Sequence, residues 1–591
     1  MLVDAVNAFN RLNRRAALWN VRVLCPALAP VVINTYRTDG DLFVGGETIK
    51  SKEGTTQGDP LGMAIYSVAI TPLIRRVGSA DNKQLWFADD AASSAKLSAL
   101  RRWWNALERE GPAFGYFVNS EKTWLVTTEE HFDEAQEIFH DTGVNITVSR
   151  KRHLGAAVGT HEFVNEYVSQ QVNGWVEQIG RLSDIAKSQP QSAYAAFRHS
   201  LSGRWTYLSR VVPGISQLLS PVEEAIRQRF IPALTGQPIP GEVERELFAL
   251  PTRLGGLGIT NPINMSECQF EASKRVTAPL LALIVQQHTT VSEVRNAAEK
   301  TRQVIRSETR RRQAKAAEQL RSRLPENLQR CMDLAKEKGA SLWLEALPIK
   351  EHQFHLSKGE FRDGLCLRYG WTPPRLPVAC VCGSAFNISH ALSCPTGGLP
   401  SVRHNEVRDL IARSMSEVCF DVATEPHLEP QEEQGTQGQG EGEHTRLDIS
   451  ARGFWGRSFE MAFFDVRVFN PFASSAANIP LTRLYRQQEA EKRRKYEARV
   501  NAENGSFTPL VFSTSGGCSP LTTIFMKKLA IKLCEKRAEP YSQVLCWLRT
   551  SVTFSLLRSA VMCLRSCRQK HKIKLPDTIE PVAALSAAGL I

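Results

Sequence analysis

The sequence predicts a multidomain chain of α/β and α+β units. Its 591 residues are enough for about four domains of roughly 150 residues each. An apolar fraction of 42% and a charged fraction of 23% are typical of globular proteins, and they exclude a wholly disordered or fibrous chain. Short β-type runs alternate with amphipathic helical stretches, interrupted by a proline-rich joint at 371–380 and a Gln/Glu/Gly tract at 429–443 that cannot bury a core.

The charge and the cysteines restrict the partners and the compartment. A net charge of +12 favours polyanionic partners such as nucleic acids. No apolar stretch is long enough to span a membrane, and the first residues lack the pattern of a secretory signal. The 13 cysteines are odd in number and scattered, which is typical of reduced intracellular thiols. We therefore expect a nuclear or cytoplasmic protein with no membrane partner.

The β-type runs of the first 160 residues predict two hairpins. The first is expected in VVINTYRTDGDLFVGG, with its turn at Asp39 and Gly40. The second is expected in QLWFADDAASSAKL, where two adjacent acids occupy the turn. Residues 161–285 are expected to be mostly helical.

Asp4, Asp89 and Asp90 form a candidate metal site. Asp4 ends a short apolar run, and the other two acids lie in the predicted turn. Carboxylates placed in this way can converge on a pair of divalent cations, as phosphoryl transfer requires. Mg²⁺, or Mn²⁺ in its place, prefers such oxygen ligands. A lone Asp more often caps a helix or occupies a turn, so spacing alone leaves that interpretation open.

The motifs around these acids resemble the palm of reverse transcriptases, in the form found in non-LTR retrotransposons. They occur in one fixed order, namely Asp4, AF at 8–9, TTQGDPL at 55–61, FADD at 87–90, GYFVNSEKT at 115–123 and HLG at 153–155. The resemblance implies that the three acids hold Mg²⁺ and that Phe9 gates against ribonucleotides. It further implies that Gln57 and Gly58 support the template and the incoming deoxynucleoside triphosphate, and that Lys122 lies near the triphosphate.

The same resemblance assigns residues 1–160 to a partial palm and residues 161–285 to a helical thumb. In the family a long fingers region precedes the first catalytic Asp, whereas three residues precede Asp4 here. We therefore expect a chain truncated at its N-terminus, with weak or absent polymerase activity of its own.

Basic residues are concentrated in the expected helical linker at 286–375. Its segment 300–323 contains nine Lys or Arg against two Glu, and few large apolar residues. A solvated charged helix is one interpretation of this composition. Sequence-independent contact with nucleic-acid phosphates, through Arg310, Arg311 and Arg312, is the other.

Cys380, Cys382, His390 and Cys394 follow the pattern C-x-C-x7-H-x3-C. Four such ligands can surround one tetrahedral Zn²⁺, and Gly383 permits a sharp turn between them. Buried thiols beside an unrelated His are the alternative. The cluster resembles the CCHC knuckle of non-LTR elements that carry a restriction-like endonuclease, and a closed four-ligand site of this kind would be structural.

A second carboxylate site is expected after residue 400. RLDIS and FEMAFFDVRVF are predicted to be strands, and they carry Asp448 and Asp465. An acid inside an apolar strand is costly to bury unless it is paired or bound to metal. The helical stripe that follows includes Lys492 and can bring it beside the two acids. An ion pair of Asp465 with Arg467 is the alternative.

The order RHN, LD, DVRV and K-x3-Y resembles the restriction-like endonuclease of site-specific non-LTR elements, of the PD-(D/E)-x-K class. The resemblance implies that Asp448 and Asp465 are Mg²⁺ ligands. Lys492 would be the shifted active-site lysine, and Lys495 is the alternative. His404 and Glu406 lie in the matching helix.

Two positions depart from that family pattern. Leu447 stands where the family has proline, and Arg467 stands where the D-x-K lysine is usual. Arginine does not deprotonate in proteins, so Arg467 can stabilise charge but cannot act as a base.

These resemblances predict a zinc knuckle at 376–400, a PD-(D/E)-x-K-like nuclease at 401–560 and a basic tail at 561–591, after the palm, thumb and linker. The implied function is that of an RNA-directed DNA polymerase and DNA endonuclease in target-primed reverse transcription. Its partners would be an RNA template, target DNA and deoxynucleoside triphosphates. Two rivals stay open: a nucleic-acid-binding remnant without activity, and an endonuclease with an inactive palm.

Overall fold

A computed structural model describes residues 1–286, 291–428, 446–456, 459–476 and 478–568. The Gln/Glu/Gly tract at 429–443 and most of the basic tail at 561–591 lie outside these residues. The described chain is mixed α/β, with long helices and several small sheets, which confirms the coarse fold class. Within it, no helix is both long enough and apolar enough to cross a membrane.

The strands and helices follow one another in the predicted alternation. The strands are β1 (Leu2–Ala5), β2 (Gly40–Val44), β3 (Glu47–Ser51), β4 (Lys83–Phe87), β5 (Asp90–Ser94), β6 (Val118–Val126), β7 (Asn145–Thr147), β8 (Arg150–His153), β9 (Ala156–Gly159), β10 (Phe420–Thr424), β11 (Ile449–Arg452), β12 (Met461–Phe469) and β13 (Ser506–Ser513). The helices of the first half are α1 (Ala8–Arg11), α2 (Arg14–Leu24), α3 (Ala29–Tyr36), α4 (Gly62–Val77), α5 (Leu97–Glu110), α6 (Phe132–Phe139), α7 (His161–Ser188), α8 (Pro190–Ala196), α9 (Ser202–Val211), α10 (Ser220–Ala225), α11 (Ile231–Thr235), α12 (Glu242–Ala249) and α13 (Pro262–Gln286). Those of the second half are α14 (Val291–Arg321), α15 (Glu326–Ala335), α16 (Leu342–Glu345), α17 (Lys358–Tyr369), α18 (Ile388–Ser393), α19 (Leu399–Ser416), α20 (Leu481–Ala502), α21 (Pro520–Arg537) and α22 (Tyr541–Arg565).

The chain divides into two compact units. Unit 1 consists of Met1–Gly174, Arg204–Pro221 and Pro262–Glu308. Unit 2 consists of Trp175–Gly203, Val222–Asn261 and Thr309–Ile591. Residues of the segment 161–285 therefore occur in both units.

Unit 1 is built on a five-stranded sheet with the order β4-β5-β1-β6-β7. Only β6 and β7 run parallel, and the other neighbours are antiparallel. The helix α5 buries Trp103, Trp104 and Leu107 in the unit's core. Because β1 lies at the centre of the sheet, the side chains at its end are flanked by strands on both sides.

The first predicted hairpin is displaced along the chain. VVINTY, expected as a strand, forms most of α3, because packing of Val32 and Tyr36 into the core overrides the β-preference of branched residues. The observed hairpin joins β2 to β3, and its turn lies at Gly45 and Gly46, whose φ angles are 59° and 88°. These left-handed conformations favour glycine, so the turn forms there and not at Asp39.

Unit 2 contains a four-stranded sheet with the order β10-β11-β12-β13. The last two strands run parallel, and α20 makes the crossover that a parallel pair needs. The helix α19 packs an apolar face, with Val407, Ile411 and Met415, into the core of this sheet. This arrangement places α19 and α20 beside the strands that carry Asp448 and Asp465.

Candidate active sites and metal centre

Asp465 lies on β12, and Asp448 directly precedes β11, the antiparallel neighbour of β12 in unit 2. Ile449 pairs with Phe464 in the β11–β12 ladder, so the same register places Asp448 opposite Asp465. The backbone N–H of Val466 donates to Oδ2 of Asp448 at 2.6 Å. The two predicted acids are thus brought together by strand pairing alone.

Lys492 reaches this pair from α20. Its Nζ lies 2.7 Å from Oδ2 of Asp465, and the side chains are 16% and 4% exposed. The contact is an ion pair that places an ammonium group directly against a carboxylate buried in the protein. Burial raises the pKa of Asp465, the ammonium of Lys492 opposes the rise, and the charge of Asp448 adds to it. Burial and the charge of Asp448 therefore favour the neutral form of Asp465, whereas a nearby cation favours the carboxylate.

His404 holds Asp448 from the other side. Its Nε2 lies 3.0 Å from Oδ2 of Asp448 and 3.0 Å from the carbonyl oxygen of Val466. Burial works to lower the pKa of His404, but the hydrogen bond with Asp448 and its negative charge outweigh burial and raise it. No defined role for His404 followed from the sequence, and the hydrogen bond between His404 and Asp448 shows that it orients one carboxylate of the pair.

The other residues named around this site lie away from the two carboxylates. Glu406 is exposed and lines a separate groove with His352 and Arg558. Lys495 is exposed, and its Nζ lies 5.0 Å from the ring centroid of Tyr496. Of the two candidate lysines, Lys492 is thus the one that contacts Asp465.

Asp4, Asp89 and Asp90 gather at one end of the unit 1 sheet. The hairpin between β4 and β5 turns through Ala88 and Asp89, because Phe87 pairs with Asp90. Val3 pairs with Ala91, and the same register places Asp4 opposite Asp90. The structure therefore places the acids in the predicted hairpin turn and at the end of the neighbouring strand.

The electrostatics of these acids reflect that proximity. Burial raises the pKa of Asp89, and the charge of Asp4 raises it further. Burial also raises the pKa of Asp90, followed by the charge of Asp89. Among the described residues, however, only the Cys/His cluster has three or more metal-ligand atoms all within 4.8 Å of one another. The three acids are neighbours that do not form a closed ligand set in this structure.

The hairpin β8–β9 brings two basic side chains near the acids, Lys151 and the His153 of the HLG motif. Burial lowers the pKa of Lys151, and the negative charge of Asp4 opposes this. Burial likewise lowers the pKa of His153, against the charge of Asp90. Both basic residues are therefore close enough to the acids for their charges to interact. His153 belongs to the HLG motif, whereas Lys151 was not singled out from the sequence.

The remaining residues predicted around the palm are less closely tied to the acids. Phe9 stacks on Tyr66 with ring centroids 4.5 Å apart, and burial and then the charge of Asp89 raise the pKa of that tyrosine. Gln57, Gly58 and Lys122 are exposed to solvent. Their predicted roles depend on ligands and stay predictions.

The Cys380–Cys382–His390–Cys394 cluster forms a compact ligand set. Their ligand atoms all lie within 4.8 Å of one another. The Sγ atoms of Cys380 and Cys394 are 3.9 Å apart, and Sγ of Cys382 lies 3.4 Å from Nε2 of His390. Such a Cys₃His set could hold a metal ion such as zinc.

Local structure explains why these four side chains meet. Gly383 has a φ of 91° and closes the turn between the first two cysteines and Ser384. Asn387 caps α18, so His390 and Cys394 project from successive turns at the helix end. Hydrogen bonds from the backbone and side chain of Ser384 lower the pKa of Cys382 to about 6, which favours the thiolate that metals bind.

The basic segment lies on the long helix α14. Arg310, Arg311 and Arg312 are exposed, but consecutive helical residues point about 100° apart, so they cannot share one face. Two further cations of the segment, Arg321 and Arg323, form ion pairs with Asp333 and Glu246. Phosphate contact by the segment stays a prediction.

Comparison with known proteins adds no family to these observations. Neither models of protein families nor curated proteins give a match to this chain.

Proposed function

We propose that unit 2 is a metal-dependent DNA endonuclease whose centre consists of Asp448, Asp465, His404 and Lys492. The observation that carries the proposal is the pairing of two carboxylates on adjacent strands with a lysine 2.7 Å from one of them. A basic chain with net charge +12 suits a polyanionic substrate.

The donor atoms suit Mg²⁺ or Mn²⁺. Mg²⁺ is usually held by one or two carboxylates, with water and substrate phosphate completing its coordination. Asp465 offers a buried carboxylate with the charge of Asp448 beside it, and a cation held between the two would offset their repulsion. Asp448 would be the second ligand, already oriented by His404 and the N–H of Val466.

Each of these groups would have a separate role in hydrolysis. The bound metal would supply a Lewis acid for the scissile phosphate and for the attacking water. His404 and Val466 fix Asp448, and Lys492 places positive charge where the phosphate oxygens gain negative charge. The water oxygen bonds to phosphorus while the bond to the 3′ oxygen breaks. A proton from the water ends on that 3′ oxygen, so the products are a 3′-hydroxyl and a 5′-phosphate.

Unit 1 supports a second function, RNA-templated DNA synthesis. The specific observation is the placement of Asp89 in a hairpin turn with Asp4 and Asp90 on paired neighbouring strands. Together with the motif order, this favours a reverse-transcriptase palm that uses Mg²⁺, RNA template and deoxynucleoside triphosphates. The 3′-hydroxyl left by the endonuclease would be the primer, as in the target-primed reverse transcription of non-LTR retrotransposons.

The Cys/His cluster completes the proposal as a structural zinc site. The four side chains would supply all four ligands of a tetrahedral zinc ion, which would leave no place for a substrate.

The endonuclease is tested with purified full-length chain and supercoiled plasmid DNA. Nicked circles should appear with Mg²⁺ and should not appear with chelator. The nicks should be extendable directly by an added DNA polymerase, because they carry a 3′-hydroxyl. Nicking that persists in chelator, or nicks that cannot be extended, would contradict the proposal.

A further inference from the structure

We propose that Arg467 and Gln488 form a second phosphate-binding position, which holds the DNA strand next to the phosphate that is cut. This inference rests on the endonuclease proposed above. It assigns a substrate-binding role to two residues outside the Asp448–Asp465 pair.

The geometry consists of two parallel contacts between β12 and α20. Asp465 meets Lys492 at 2.7 Å, and Nε of Arg467 donates to Oε1 of Gln488 at 3.0 Å. Arg467 is two residues beyond Asp465 on the strand, a step of about 6.7 Å along the same face. Gln488 is four residues before Lys492, a step of about 6 Å along the same helix face. The two contacts are therefore adjacent steps of one strand–helix interface.

The partner of Arg467 is neutral, unlike the partners of several other arginines of unit 2. Arg408 pairs with Asp409, Arg452 with Asp421 and Arg493 with Glu497, so the charge of each is balanced by a carboxylate. Within the described residues, Arg467 has the neutral amide of Gln488 as its hydrogen-bond acceptor and is exposed. Its charge is thus oriented but not neutralised.

The chemistry of that cation fits a phosphate. Gln488 uses only Nε, which leaves the two terminal nitrogens of the guanidinium to donate outward. Such a fork binds phosphate oxygens in a bidentate manner. The positive charges of Arg403 and Arg467 repel one another, so both add to the attraction for an anion at this position. DNA carries one phosphate per nucleotide, so a strand whose phosphate reaches Asp465 and Lys492 presents the next one beside them.

The test compares five forms of the full-length chain: parent, Arg467→Ala, Arg467→Lys, Gln488→Ala and Arg486→Ala. Arg486 is a matched control, because it is exposed on the same helix but about 200° around from Gln488. Plasmid nicking in Mg²⁺ gives kcat and KM. Binding of duplex DNA in chelator, measured from 50 to 200 mM salt, gives the salt dependence without cleavage.

Arg467→Ala should raise KM about tenfold and leave kcat near that of the parent, since a charged hydrogen bond to substrate is lost. It should also lower the slope of log affinity against log salt by about 0.9, the contribution of one phosphate contact. Arg467→Lys should keep the slope and recover part of the KM, because the charge remains. Gln488→Ala, which leaves Arg467 charged but not oriented, should raise KM by a smaller factor.

Arg467→Ala with the KM and slope of Arg486→Ala would overturn the assignment, even if the parent nicks DNA normally. A parent that never nicks in Mg²⁺ would instead overturn the endonuclease. In that case the salt slopes measured in chelator would still decide whether Arg467 binds phosphate.

Discussion

Replacement of Lys492 by Met isolates the energetic role of the contact with Asp465. Methionine keeps much of the length and apolar packing of lysine but removes the ammonium that lies 2.7 Å from the carboxylate. Breaking a buried ion pair by removing one partner costs about 3–5 kcal/mol, because the other charge is left without compensation. Lys492 is 16% exposed, so we expect the lower end, about 3 kcal/mol.

The effect should depend on pH in a defined direction. Burial already raises the pKa of Asp465, and loss of Lys492 raises it further. A carboxyl group whose folded pKa lies above its unfolded pKa destabilises the fold increasingly as pH rises from the unfolded to the folded pKa, and the penalty is complete above the folded pKa. The penalty of Lys492→Met should therefore be largest near pH 8 and should shrink as acid protonates Asp465.

Hydrogen exchange read by mass spectrometry measures this penalty locally. Two compact units make a single global unfolding transition unsuitable, whereas peptides covering β12 report opening at the site itself. A loss of about 3 kcal/mol corresponds to exchange roughly 100-fold faster than in the parent at the same pH.

Lys495→Met is the matched control for this experiment. It removes an exposed lysine of the same helix, and the Nζ of that lysine lies 5.0 Å from the ring centroid of Tyr496. A cation–π contact at an exposed site contributes about 0.5–1 kcal/mol. Equal protection of β12 in the two variants would refute the reasoning. Retained nicking in Lys492→Met, with loss of nicking in Lys495→Met, would move the active-site role to Lys495.

Three further outcomes are expected. Elemental analysis of the purified chain should find about one zinc, which should be lost in Cys382→Ser. The control Cys546→Ser changes an exposed cysteine outside the cluster and should keep the zinc, and a folded parent without zinc would contradict the structural site. Changing Arg310, Arg311 and Arg312 together to Ala should lower the salt slope of nucleic-acid binding by about 0.9 per lost phosphate contact, and an unchanged slope would favour a solvated helix. Asp89→Asn should remove any RNA-templated primer extension, while Asp81→Asn, which changes an exposed acid paired with Arg102, should not; equal extension by both would contradict the palm assignment.

Prediction from the sequence was most accurate where a short-range pattern of residues determines the structure. Alternation of side chains identified β12, and its register with β11 brought Asp448 and Asp465 together as expected. The acids of QLWFADD likewise fall in a hairpin turn, which their flanking β-type runs indicate. The four side chains of the Cys/His cluster also lie together as expected, because a turn and one short helix position them within 15 residues.

Long-range packing determines the features that local sequence patterns did not predict. VVINTY is helical because Val32 and Tyr36 are buried in a core assembled from distant segments. The contact of His404 with Asp448 spans 44 positions. The choice between Lys492 and Lys495 depends on how α20 is rotated against the sheet, since three residues change the direction of a side chain by about 300°.

The central claim, that Asp448 and Asp465 form one nuclease centre, is tested most directly by nicking rates of Asp465→Asn and Asp421→Asn measured side by side. Asp421 is an exposed acid on β10, paired with Arg452, and its φ of 47° suits asparagine. We predict that Asp465→Asn loses Mg²⁺-dependent nicking but still binds DNA, whereas Asp421→Asn nicks like the parent. Nicking by Asp465→Asn at the rate of Asp421→Asn would contradict the claim.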